Sequence, residues 1–181
     1  MSSIAIFGGS FNPPHVAHQM VCLLVLEAYP VDQVWVVPTF HHPFAKSLID
    51  FEHRFAMCQL AMAPFGDRVE VSRIEAELGQ AHSRTLDTLQ ALRSRHPEVS
   101  FRLVVGADIL AERDKWYRWD EIERLAPPIV IGRAGYPSET RFELPAISST
   151  EVRARLAAGQ SAAPLVPSRV LEYIADQGLY R

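Results

Sequence analysis

Two histidines, three residues apart, follow a glycine pair near the start of the chain. His15 and His18 would lie on about the same side of a helix that begins here, because residues three apart are neighbours on a helical surface. Gly8 and Gly9 allow a sharp turn and let a ligand approach the backbone. The N–H groups at a helix start bind phosphate, and imidazole rings can donate to phosphate oxygens. The segment Ile4–His18 therefore predicts a nucleotide site.

Two common phosphate motifs do not account for this loop. A dinucleotide fingerprint needs Gly-x-Gly-x-x-Gly, a P-loop needs Gly-Lys followed by Ser or Thr, and residues 8–18 contain neither. A zinc protease would use His-Glu-x-x-His, which is also missing from these residues. Taken alone, the glycines could be only a turn, and the histidines could be surface residues or a metal pair.

The elements that must position this loop alternate between strand and helix. The apolar patterns predict strands at 4–7, 33–37, 68–72, 101–105 and 129–131. They predict helices at 16–29, 51–63, 85–95, within 109–125, from 148 onward and at 167–177. Residues 75–82 are predicted as loop, and Ser83 or Thr85 as the cap of the helix that follows. This order predicts an α/β fold, a doubly wound parallel sheet whose loops after Gly8, Pro38 and Gly106 line one crevice.

A second candidate phosphate site begins at Ser148. Ser148 and Glu151 have the spacing of a helix capping box. Ser149 and Thr150 add hydroxyls at this helix start, and Arg153 adds a permanent cation one turn in. The helical segment 148–181 would therefore bring a second set of phosphate donors to the site.

The composition limits the classes of protein that this chain can belong to. The 181 residues are 48% apolar and 22% charged, which predicts one domain over residues 1–181. A net charge of −3 argues against a nucleic-acid binder. No apolar run is long enough for a membrane span, and the N-terminus does not read as a signal peptide, so we expect a cytoplasmic protein. Cys22 and Cys58 are predicted to be buried free thiols. The sequence does not decide between a monomer and a homo-oligomer.

Five segments in order resemble known signatures. Residues 9–18 resemble the signature loop of the nucleotidylyltransferase superfamily, and residues 147–153 resemble its second signature. Residues 83–89, 106–108 and 115–119 are similar to one branch, the bacterial nicotinate-nucleotide adenylyltransferases. The matches cover nearly the whole chain and imply the Rossmann-like nucleotidylyltransferase fold.

The chain departs from the family pattern at several positions. Ala17 replaces a glycine between the histidines, Asn12 replaces a common aspartate, and Pro14 replaces a common isoleucine. The loop 38–46 lacks the usual Pro-Pro-His-Lys ending, although Lys46 is present there.

The resemblance implies adenylyl transfer from ATP to nicotinate mononucleotide, giving nicotinate adenine dinucleotide and pyrophosphate in NAD biosynthesis. Mg²⁺ would accompany ATP, held mostly by phosphate and water. Alternatives are the same reaction on nicotinamide mononucleotide, adenylyl transfer to phosphopantetheine and, as a different class, a non-catalytic nucleotide sensor. A cytidylyltransferase is disfavoured because residues 83–89 and 115–119 resemble the nicotinate branch.

The resemblance also implies roles for individual residues. The residues with an implied catalytic role are His15, His18 and Arg153. Those with an implied role in ATP or phosphate binding are Gly8, Gly9, Ser10, Phe11, Lys46, Gly106, Asp108, Ile147, Ser148, Ser149 and Thr150. Trp116 would lie against the pyridine ring, while Thr85 and Tyr117 would offer backbone N–H groups to the nicotinate carboxylate. Trp119 is expected to be a packing residue, and whether His41 and His42 contact phosphate is left open.

Overall fold

The apolar runs of the sequence pair side by side in a parallel sheet. The computed structural model describes residues 2–41, 48–133 and 143–181. In these ranges the strands are β1 (Ser3–Gly9), β2 (Gln33–Pro38), β3 (Val69–Val71), β4 (Ser100–Gly106), β5 (Pro128–Arg133) and β6 (Glu143–Leu144). Their order across the sheet is β3-β2-β1-β4-β5-β6, and each neighbouring pair is parallel. The predicted doubly wound α/β fold is confirmed.

Helices cover both faces of this sheet. They are α1 (Val16–Ala28), α2 (Phe51–Met62), α3 (Ile74–Leu78), α4 (Thr85–Arg95), α5 (Ala107–Ala111), α6 (Trp119–Leu125), α7 (Ser149–Ala157) and α8 (Ser168–Asp176). Short 3₁₀ turns occur at Ala63–Arg68 and Arg113–Lys115. Of the helices in the described ranges, none is both long and apolar enough to cross a bilayer.

The alternation of side chains along β1 divides the core into two clusters. Ala5 packs with buried residues of α1, α2, α7 and α8, whereas Ile4 and Ile6 pack with those of α3, α4 and α6. A strand buried on both faces must be apolar at every position, which is why this run is continuous in the sequence. Cys22 and Cys58 lie in the first cluster as buried free thiols, as predicted.

The structure corrects two local predictions, the loop at 75–82 and the cap of α4. Residues 74–78 form a helix instead of loop, because Ile74 is buried and Gly79 ends the helix in the left-handed conformation. The cap residue of α4 is Arg84, not Ser83 or Thr85, because the Ser83 hydroxyl accepts from the His41 N–H at 3.1 Å.

Only half of the predicted capping box at α7 is formed. The Ser148 hydroxyl accepts from the Glu151 N–H at 3.2 Å, as predicted. The Glu151 carboxylate pairs instead with Arg155, at 2.7 Å. The short strand β6 was not predicted from the sequence.

The winding of the sheet reverses between β1 and β4. Connections from β1 lead to β2 and β3 on one side, and β4 to β6 lie on the other. In open parallel sheets, ligands bind at the carboxyl ends of the strands where this reversal occurs. The loops after Gly9 and Gly106 leave β1 and β4 at this place.

Candidate active site

Two adjoining cavities open at the reversal point. The first, here the histidine cavity, has a volume of about 440 Å³ and contains both histidines. The second, here the tryptophan cavity, has a volume of about 450 Å³ and contains Trp116. Ser10, Val104 and Ile109 line both, so the two cavities share a wall. The single crevice predicted from the sequence is therefore a pair of adjoining cavities.

The structure brings most of the sequence-predicted residues to these cavities. The histidine cavity is lined by Ser10, Phe11, His15, His18, Gly106, Asp108, Ile147, Ser148, Ser149, Thr150 and Arg153. The tryptophan cavity is lined by Gly8, Gly9, Ser10, Thr85, Trp116 and Tyr117. Lys46 and His42 lie outside the described residues. His41 is exposed and packs on Phe40, with ring centres 4.3 Å apart.

The two histidine rings stack at the start of α1. Their centres lie 3.7 Å apart with an angle of 24° between the rings. The backbone N–H of His15 donates to Nδ1 of His18 at 3.0 Å. Because a backbone nitrogen can only donate, Nδ1 of His18 must accept, and the proton of the neutral ring lies on Nε2. The turn thus selects the tautomer in which Nε2 is a donor.

Phe11 supports His18 from a constrained backbone position. It is 1% exposed and has a φ of 46°, a left-handed conformation that costs a non-glycine residue about 1–3 kcal/mol. Its ring meets His18 edge-on at 4.8 Å and Phe7 edge-on at 5.5 Å. A Cβ at Gly9 would lie 3.1 Å from this ring, which explains why glycine is suited to that position.

Two arginines bind the backbone on either side of Phe11. Arg54, 1% exposed in α2, donates to the Ser10 carbonyl at 3.0 Å and to the Ile49 carbonyl at 3.0 Å. Arg153, in α7, donates to the Asn12 carbonyl at 2.8 Å. These bonds satisfy carbonyls that lie outside the sheet and hold the left-handed turn in place.

The C-terminal part of the chain also holds this loop. The Tyr180 hydroxyl donates to Oδ1 of the buried Asn12 at 2.7 Å. Burial raises the pKa of Tyr180, so the hydroxyl keeps its proton and remains a donor at neutral pH. The Ser149 hydroxyl donates to the Pro13 carbonyl at 2.9 Å, and the Val16 N–H donates to the Leu165 carbonyl at 2.9 Å.

The start of α7 faces the histidine cavity with hydroxyl and guanidinium groups. Arg153 reaches Thr150 as well as the loop, with an Nη2 to Oγ1 distance of 3.3 Å. The Ser148 hydroxyl caps the helix, and the Ser149 hydroxyl donates to the Pro13 carbonyl in the loop. The start of α7 therefore holds the loop between β1 and α1 by hydrogen bonds and also supplies donors to the histidine cavity.

Gly106 and Asp108 also line the histidine cavity. A Cβ at position 106 would overlap Oδ1 of Asp108, so the carboxylate lies directly against the glycine backbone. Asp108 is the one acidic residue among the described residues that line the histidine cavity. Across the described ranges, no three His, Cys, Asp or Glu side chains are grouped so that they could hold a metal ion.

The tryptophan cavity has an aromatic side and a polar rim. Trp116 is half-buried and meets the buried Trp119 edge-on at 5.6 Å, so Trp119 packs behind it as expected. Tyr117 is 52% exposed at the rim. Glu75 accepts from the Phe40 N–H at 2.9 Å, and burial raises the pKa of its carboxyl.

Sequence reasoning missed Arg54 and Tyr180. A signal for Arg54 exists, since an arginine within the apolar run of α2 must find partners in the interior. Tyr180 carries no such signal, because its contact with Asn12 joins residues 168 positions apart.

Comparison with known proteins shows the family to which this chain belongs. A family model described as cytidylyltransferase-like matches residues 6–155. Curated proteins from Anaeromyxobacter sp. (strain K) and Myxococcus xanthus (strain DK1622), both named "Probable nicotinate-nucleotide adenylyltransferase", are 51% and 42% identical to this chain. These alignments cover 98% of this chain and 96% and 94% of the two relatives. The chain belongs to the nicotinate-nucleotide adenylyltransferase family, and the resemblance found in the sequence is confirmed.

Solved structures show the same fold. Plasmodium falciparum nicotinic acid mononucleotide adenylyltransferase, complexed with NaAD and with APC, matches with TM-scores of 0.85 and 0.82. Both comparisons cover 99% of this chain and 98% of the other. The sequence identity is 21%, so this likeness establishes the fold alone.

Replacing Tyr180 by phenylalanine tests how much its hydrogen bond to Asn12 stabilises the protein. The Tyr180→Phe change leaves Oδ1 of buried Asn12 without its donor, so we expect the free energy of unfolding to fall by about 1–3 kcal/mol. Urea denaturation measures this value. The matched control is Tyr173→Phe, which removes a hydroxyl 2.9 Å from Nδ1 of His53 on another surface. If Tyr180→Phe lowers the free energy of unfolding no more than Tyr173→Phe does, the hydrogen bond from Tyr180 to Asn12 contributes little stability.

Proposed function

We propose that this protein transfers the adenylyl group of ATP to nicotinate mononucleotide, giving nicotinate adenine dinucleotide and pyrophosphate. The observation that carries the proposal is the shared wall at Ser10. One cavity has phosphate donors, the other has an aromatic side with a polar rim, and two substrates bound in them would meet there. The names of the 51% and 42% identical relatives support the same reaction.

The proposed chemistry needs no general base. An ionised phosphate oxygen of the mononucleotide attacks the α-phosphorus of ATP in line. A new P–O bond forms as the bond between the α-phosphorus and the bridging oxygen breaks, and pyrophosphate leaves with that electron pair. Catalysis then depends on alignment and on stabilising charge around the transferred group.

The histidine cavity supplies donors for that charge. His18, with its proton on Nε2, would donate to an α-phosphoryl oxygen, and His15 would hold the phosphate chain beside it. Ser148, Thr150 and Arg153 would stabilise the departing pyrophosphate. Ser149 is assigned the same role, although its hydroxyl also holds the loop.

Backbone groups and a metal ion would complete the phosphate site. Gly8, Gly9 and Ser10 would give room to both phosphates, while Gly106 and Ile147 line the site near them. Mg²⁺ would enter with ATP, bound chiefly by phosphate oxygens and water. One nearby carboxylate, Asp108, fits a cation that keeps several waters, and the ion would neutralise phosphate charge. Lys46 is retained as a candidate phosphate ligand on its sequence position.

The tryptophan cavity would bind the nicotinate part. Trp116 offers an aromatic face for the pyridine ring, and the backbone N–H groups of Thr85 and Tyr117 would receive its carboxylate. Residues 1–181 would act as one domain. A cytoplasmic location fits substrates that are intracellular metabolites.

Pyrophosphate release with Mg-ATP tests the reaction. Nicotinate mononucleotide, nicotinamide mononucleotide and phosphopantetheine would be compared as acceptors. We expect release that depends on nicotinate mononucleotide. Release with phosphopantetheine alone would reject the nicotinate pocket, and ATP binding without release from any acceptor would favour a nucleotide sensor.

Replacing His18 tests the proposed donor. Losing one preorganised donor to a transition state typically costs about 100- to 1000-fold in rate, so we expect His18→Ala to lose that much turnover. Circular dichroism should show an unchanged fold. His82→Ala, at an exposed position outside both cavities, is the matched control and should keep wild-type turnover. Near-normal turnover of His18→Ala would remove this residue from the mechanism.

A further inference from the structure

The tryptophan cavity carries a positive charge on its wall, the guanidinium of Arg84. Arg84 lines this cavity immediately before the first turn of α4. The central carbon of its guanidinium lies 4.5 Å from the centre of the Tyr117 ring. Cations are attracted to aromatic faces at such distances, so this contact favours a guanidinium placed at the cavity rim.

Other charges on this wall are compensated. Lys115 Nζ lies 2.8 Å from Oε1 of Glu112, which makes a neutral pair. Glu75 is largely buried and accepts from the Phe40 N–H at 2.9 Å, and burial raises the pKa of its carboxyl. Among the described residues, no carboxylate forms an ion pair with Arg84. Of the two described cations that line this cavity, Lys115 has an ion-pair partner and Arg84 does not.

We propose that Arg84 determines the preference of this site for a pyridine ring bearing a carboxylate over the same ring bearing an amide. The inference rests on the proposed function, because it places the pyridine ring beside Trp116. Recognition by backbone N–H groups alone leaves little side-chain trace in a sequence. Arg84 is a side-chain signal that could have been recognised, because it precedes Thr85 and contacts the ring of Tyr117. Thr85 and Tyr117 are the two residues assigned to the carboxylate.

The chemistry of the guanidinium explains the direction of the preference. Its N–H groups form a planar fork that matches the two oxygens of a carboxylate. An amide offers one oxygen, and its NH₂ group would face another donor. Arg84 is exposed, so solvent screens the attraction, and we expect a preference of roughly tenfold that weakens as salt is added.

The test compares Arg84→Gln and Arg84→Lys with the wild-type protein. The kcat/KM values for nicotinate and nicotinamide mononucleotides are measured at fixed Mg-ATP. In Arg84→Gln we expect the ratio of acid to amide to fall about tenfold through a higher KM for the acid, with the KM for ATP unchanged. Arg84→Lys keeps the charge and should keep much of the ratio.

Arg118→Gln is the matched control, because it removes an arginine next to Tyr117 that pairs with Glu121 and lines neither cavity. It should keep the wild-type ratio. The Arg84 side chain makes no cap hydrogen bond to α4, so Arg84→Gln should fold, and circular dichroism checks this. Calorimetric binding of nicotinate mononucleotide gives a second readout without turnover.

Failure of this proposal can be distinguished from failure of the proposed function. A wild-type ratio in Arg84→Gln, at low salt, would overturn the role of Arg84 while leaving the reaction intact. No pyrophosphate release by the wild-type protein with either mononucleotide would overturn the proposed function itself.

Discussion

The loop between β1 and α1 depends on hydrogen bonds from distant parts of the chain. Carbonyls of Ser10, Asn12 and Pro13 accept from side chains of Arg54, Arg153 and Ser149. A buried polar group left without a partner costs about 1–3 kcal/mol, so each of these three bonds is comparable in free energy to the strain of one left-handed residue inside the loop. The position of the stacked histidines is therefore a property of the whole fold.

These hydrogen bonds connect the two signature segments, residues 9–18 and 147–153, with each other. Residues at the start of α7 contribute donors to the histidine cavity, and two of them also bind the loop that carries the histidines. A phosphate chain bound at α7 would contact groups whose other hydrogen bonds hold the loop. Binding of the leaving group and the position of the histidine donors would then be coupled through Arg153 and Ser149.

The sequence predicted the parts of this structure that depend on local pattern. Buried parallel strands are continuous apolar runs, and the helix start at Ser148 has its own hydroxyl cap, so these were recognised. The helix at 74–78 was missed because one buried residue, Ile74, decides it. Tyr180 and Arg84 were missed because their roles come from contacts across the fold, with Asn12 and with the Tyr117 ring. Lys46 and His42 stay predictions outside the described residues.

The ring nitrogen of His18 that carries the proton decides whether this residue can donate to phosphate, and ¹⁵N NMR of the imidazole ring measures this directly. The bond from the His15 N–H requires an unprotonated Nδ1. At neutral pH, without substrate, we expect the resonances of a neutral ring with its proton on Nε2. The Tyr180→Phe variant would show whether the hydrogen bond from Tyr180 to Asn12 is needed to keep the His18 proton on Nε2. A neutral His18 ring with its proton on Nδ1 in the wild-type protein would contradict the proposed arrangement, because Nε2 would then have no proton to donate to phosphate.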